Sequence, residues 1–96
     1  MQIKEIMFNG KTFKTFEGEI APGSFLVFIT GKKGFIMCGY LNLETAEKLQ
    51  NIAAIATGIK CVEDMLNALI VKATSYAQSA GITVGMPVIK ALEKIS

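Results

Sequence analysis

Two thiols, Cys38 and Cys61, are the side chains here best suited to nucleophilic or soft-metal chemistry, and no histidine accompanies them. Cys38 stands in GFIMCGYLNLE, residues 34–44, where an apolar strand is expected to end. A nucleophile, a redox thiol or a soft-metal ligand would fit there, beside a glycine that lets a ligand approach the backbone. Free cysteine also packs as a small hydrophobe, and that reading suits an apolar strand better. A reactive thiol needs an electropositive, partly exposed setting and a nearby base, and histidine is the usual one. Cys61 sits beside Lys60 at or just before an expected helix start, where a dipole and a cation would both favour the thiolate. The two cysteines lie 23 positions apart, a spacing of no zinc or redox-pair motif. In a cytoplasmic chain they are expected as free thiols. The sequence leaves open whether they approach one another.

Other chemistries are narrower still. Ser/His/Asp and His/Cys catalysis are excluded by the missing histidine. Glu63-Asp64 is the one adjacent acidic pair, and neighbours on a helix do not face each other. No carboxylate cluster suggests a metal site, so neither metal nor cofactor is expected. Gly81 to Met86, GITVGM, places two glycines before a helix start; free amides there could hold an anion, but Pro87 removes one donor. KTFKTF, residues 11–16, interleaves lysine with phenylalanine and could stack single-stranded bases. All ten cations are lysine and the net charge is only +2, which argues against nucleic acid as the main partner.

The elements that must position these groups read as strands first and helices later. QIKEIMF, residues 2–8, is a strand, and Asn9-Gly10 is a strong short hairpin signal. Residues 11–20 return. Phe13 and Phe16 differ by three, so either a bulge intervenes near Gly18 or both faces carry aromatic contacts. Ala21-Pro22-Gly23-Ser24 fits a type II turn. Residues 24–30 and 35–39 are apolar on both faces, so each face must meet something. Helices of the same chain can cover one; a sheet from a neighbouring subunit is the natural cover for the other. Asn42 is a suitable N-cap for a helix near Glu44. Residues 52–59 read as a strand, 61–68 and 71–80 as helices, and Gly81 as a helix stop. Pro87 precedes a last helix with the stripe Val88, Ile89, Leu92 and Ile95.

Ninety-six residues make a single domain, 51% apolar, with a mean hydropathy of +0.44. That surplus in so short a chain points to apolar surface buried between subunits. No run approaches the ~20 continuous apolar residues of a spanning helix. The N-terminus lacks the pattern of a signal peptide. A cytoplasmic protein away from membranes is expected.

Phe35, Ile36, Met37, Cys38, Gly39 and Leu41 resemble the signature of the YunC-like family, small bacterial and archaeal proteins of uncharacterised function. GITVGM resembles that family's second motif, and VEDMLNA, residues 62–68, resembles the acidic helix between the two. The resemblance covers most of residues 24 to 95. It implies an α+β fold whose N-terminal β region serves tetramerisation, and no known activity. At residues 58–61 this chain has Gly-Ile-Lys-Cys where the family pattern carries an arginine, so no role of that arginine carries over.

The expected architecture is therefore α+β: an N-terminal antiparallel β-meander, then helix, strand and helices packed on one face of the sheet. It is one domain over 1–96, with the hairpin region 1–23 as the oligomerisation element. The expected function is a non-enzymatic homo-oligomer, a tetramer, or a ligand-binding domain. A small molecule would sit where the strand end meets the helix starts, at Cys38, Gly39, Tyr40 and Gly85. The alternatives are a thiol-dependent enzyme or redox protein acting through Cys38, and a weak single-stranded nucleic-acid binder.

Overall fold

A computed structural model describes residues 2–39 and 42–96. Strands β1 (Gln2–Phe8), β2 (Lys11–Ala21), β3 (Ser24–Thr30) and β4 (Gly34–Met37) form an antiparallel meander. Helix α1 (Leu43–Lys48) returns the chain to β5 (Ile52–Ile55), which lies parallel to β4. Then follow α2 (Val62–Leu66), β6 (Lys72–Ala73), α3 (Ser75–Ser79) and α4 (Val88–Ile95). The six strands stand in sequence order in one sheet, with β6 antiparallel to β5. The expected α+β class and N-terminal meander are what the chain adopts.

The hairpin signals act as their chemistry requires. Asn9 and Gly10 have φ of 52° and 76°, positive at both positions as a type I′ turn needs. In β2 both faces carry aromatics: Phe13 is buried, while Phe16 points the other way and stacks on Phe28 of β3 with ring centroids 4.4 Å apart. The bulge falls at Ile20, two residues beyond Gly18, because the register shifts between Glu19 and Ala21.

The sheet has two unequal faces. On one, Phe13, Val27, Ile29, Ile36 and Ala54 pack with Met65 of α2, Ala77 of α3 and Val88, Ala91, Leu92 and Ile95 of α4, where Ala91 is buried and Ile89, expected in the stripe, is exposed. On the other, Met37, Ala53 and Ile55 pack with Ala46 of α1, edged by Phe28, Phe35 and Leu43. Expecting all helices on one face is therefore corrected for α1. The strands β4 and β5 are apolar on both sides, and the crossover helix that joins them covers the face opposite α4. Gly31 permits the close seat of α4: a Cβ there would lie 2.3 Å from the Ile95 carbonyl oxygen, and the Lys33 amide donates to that oxygen at 2.9 Å.

Residues 71–80 are the second correction. The expected helix is divided into β6 and the five-residue α3. The Val71 amide donates to Ile55 O at 2.8 Å and the Thr74 amide to Ala53 O at 2.9 Å, so the sheet edge claims this segment before the helix begins. Buried Thr74 is the junction. Its Oγ1 donates to Asn51 O at 2.8 Å and accepts from the Ala53 and Ala77 amides at 3.3 and 3.1 Å, joining α1's exit, β5 and α3 at one hydroxyl. Residues 56–59, expected to prolong β5, are a loop instead.

Candidate functional site

β4 and β5 are the parallel pair, and both end at the same edge of the molecule. From that edge β4 leads to α1 on one face while β5 leads to α2 on the other. Two connections that part in this way leave a gap outside the carboxyl ends of the strands, the position where ligands enter open α/β sheets. Here the gap is a cavity of about 320 Å³. Its walls are Gly23 from the β2–β3 turn, Phe25 from the start of β3, Cys38 and Gly39 after β4, and Thr57, Gly58, Ile59 and Lys60 after β5. A volume of that order suits a small organic molecule.

Cys38 is 3% exposed and forms part of the wall. Its amide donates to Val27 O at 3.0 Å. Its Sγ accepts from the Val27 amide at 3.5 Å and donates to Phe25 O at 3.9 Å. The side chain thus behaves as a packed small hydrophobe whose weak polar capacity is met by β3. Gly39 is less constrained than its neighbourhood suggests. A Cβ there would meet Thr57 Cγ2 at 3.5 Å, an ordinary contact, so the backbone does not demand glycine. Tyr40 and Leu41 lie outside the described residues.

A second cavity of about 280 Å³ adjoins the first, sharing Phe25 and Lys60 and adding Gln2, Glu17, Gly18, Glu19 and Cys61. Cys61 is the N-cap of α2 but makes no capping bond. That task falls to Glu17 from β2, whose Oε2 accepts from the Val62 amide at 2.8 Å. Asp64 Oδ2 accepts from the Lys60 amide at 3.1 Å, which fixes the loop entering α2. Both cysteines are free, and they line neighbouring cavities.

Gly85 does not line the Cys38 cavity. It sits in the α3–α4 connection, where its amide donates to Ile70 O at 2.7 Å. The Met86 amide donates to Thr83 O and the Val88 amide to Ala68 O, so donors that an anion would have used are occupied. In KTFKTF, Phe13 is buried and unavailable as a stacking platform. Among the described residues no group of three His, Cys, Asp or Glu side chains could hold a metal ion, and no helix is long and apolar enough to cross a membrane. Sequence reasoning singled out Cys38 and Gly39 but missed Phe25, Thr57 and Lys60 as their companions. In the sequence Lys60 is marked only as a neighbour of Cys61, and nothing local marks β5 as the parallel neighbour of β4.

Fold and cavity together define a small α+β domain with one mixed sheet and a ligand-sized gap at its parallel pair. Residues 37–95 match the model of the family described as "Domain of unknown function (DUF1805)", and the chain belongs to that family. It is 29% identical to "Uncharacterized protein YunC" of Bacillus subtilis (strain 168), over 99% of this chain and 97% of that protein. The crystal structure of a protein of unknown function, TA1206 from Thermoplasma acidophilum, superposes with a TM-score of 0.94 at 39% identity, covering 99% of this chain and 92% of that one.

Proposed function

We propose that this chain is a non-enzymatic, small-ligand-binding domain that works as a cytoplasmic homo-oligomer, a tetramer assembled through its N-terminal β region. The observation that carries the binding role is the cavity at the carboxyl ends of β4 and β5, with Cys38 and Gly39 in its wall. Binding rather than thiol catalysis is favoured because the Cys38 sulfur is buried and engaged by β3 backbone. The free state of both thiols agrees with a cytoplasmic setting.

Assembly is supported by the face of β1–β3 that turns away from α2–α4. Register places Ile3 opposite Phe16 and Met7 opposite Thr12, with Phe28 beyond Phe16. Ile3 and Met7 are 64% and 74% exposed, and Phe16 and Phe28 are half-buried. On the same face Glu5 stands opposite Lys14, between the Ile3–Phe16 and Met7–Thr12 pairs, so a two-fold-related copy meets opposite charges flanked by apolar side chains.

Light scattering on the full chain tests the assembly. A tetramer mass is expected, and the 10.4 kDa monomer at micromolar concentration overturns it. An NMR screen with small organic molecules tests the binding role: saturable shifts at the Gly39 and Gly58 amides are expected, and a screen without any overturns it.

A further inference from the structure

We infer that the cavity at the ends of β4 and β5 selects a small organic monoanion: a carboxylate carried on a compact apolar body. This rests on the ligand-binding reading above and adds the chemical class. Among the described residues the cavity wall holds one charged side chain, Lys60, and no carboxylate. The acidic neighbours Glu17 and Glu19 line the adjoining cavity instead. Glu17 is held there by the Val62 amide, and Glu19 Oε2 accepts from the Gly23 amide at 3.1 Å.

Among the described residues the same wall carries unmatched backbone amides and carbonyls alike, so its one charged side chain sets the preference. Among the described residues, the backbone amides of Gly39, Thr57, Gly58 and Ile59 donate to no protein acceptor. The flanking amides of Cys38, Ala56 and Lys60 all do. Unmatched donors beside a lone ammonium favour a negatively charged acceptor, because a charge-assisted hydrogen bond is about twice as strong as a neutral one. Phe25 and Ile59 supply apolar wall for the rest of the ligand. One lysine and no arginine match one negative charge better than the dianion of a phosphate, which prefers a bidentate clamp.

The test is a ¹H–¹⁵N NMR titration of the full chain with benzoate, benzyl alcohol, benzylammonium and inorganic phosphate at neutral pH. Benzoate is expected to shift the Gly39, Gly58 and Lys60 amides saturably, and the other three are not. Lys60→Met should weaken benzoate about tenfold, and Lys60→Arg should retain it. Lys60 is exposed, so both variants are expected to keep the parent spectrum elsewhere. Equal shifts with benzyl alcohol or benzylammonium overturn the anion selectivity while leaving the binding role standing. Equal shifts with phosphate overturn the apolar half of the ligand. Benzoate binding that Lys60→Met leaves intact overturns the role of Lys60. No shift at these amides with any of the four overturns both the class and the binding role.

Discussion

At the residue scale Cys38 and Cys61 exchange the accessibility that their sequence context suggests. Cys38 is a wall residue with its sulfur tied to β3, while Cys61 is half-exposed and makes no capping bond. Alkylation of the native protein followed by mass spectrometry should therefore label Cys61 first, with Cys38 reacting fully only after denaturation. Rapid native labelling of Cys38 would revive the thiol-enzyme reading. Gly39→Ala should fold with little loss of stability, under about 1 kcal/mol, since its methyl meets only Thr57 Cγ2 at 3.5 Å. Thermal unfolding checks this, and a large loss would mean that the strand exit needs glycine for more than space.

At the element scale the short helices depend on long-range capping rather than on their own length. Thr74→Val leaves the Ala53 amide, the Ala77 amide and Asn51 O without their shared hydroxyl, and should cost about 2–3 kcal/mol in denaturant unfolding. A neutral result would remove Thr74 as the joint between β5 and α3. Glu47 of α1 reaches the start of α3, where its carboxylate accepts from the Ser75 hydroxyl and, at 2.8 Å, from the Ser75 amide. The hydroxyl bond first, then the amide bond, hold its pKa below the ordinary value of 4.5. A depressed carboxylate pKa contributes stability that is present above the ordinary value and lost as pH falls through the folded one. Wild type should therefore lose this increment on acidification, while Glu47→Gln should lack it at neutral pH and titrate more flatly below pH 4.5. Parallel profiles for the two proteins would exclude the tether from acid stability. Both links cross between segments that are remote in sequence, which is why periodicity over 71–80 suggests one helix.

At the scale of the whole molecule the apolar surplus divides between a closed core and an open face. Phe13, Val27, Ile29, Ile36 and the α4 stripe are buried within one chain, whereas Ile3 and Met7 are not. Met7→Lys or Ile3→Glu should shift the assembly toward monomer in light scattering while the far-ultraviolet circular dichroism stays unchanged. An unaltered oligomer would place the interface elsewhere, and an unaltered monomer would remove it.

The sequence by itself determined the meander, its turns, the last helix and the α+β class. Those features rest on local chemistry: positive φ at Asn9-Gly10, alternation along the strands, and a 3.6-residue stripe from Val88 to Ile95. The motif around Cys38 also marked one wall of the cavity. Tertiary structure alone decided that β5 lies parallel to β4, that α1 covers the face opposite α4, and that the 57–60 loop closes on Cys38. It likewise drew Gly85 away to Ile70 and assigned the cap of α2 to Glu17. Such pairings join residues tens of positions apart. They are chosen by burial and by long-range hydrogen bonding, which leave no periodic trace in either partner's own segment.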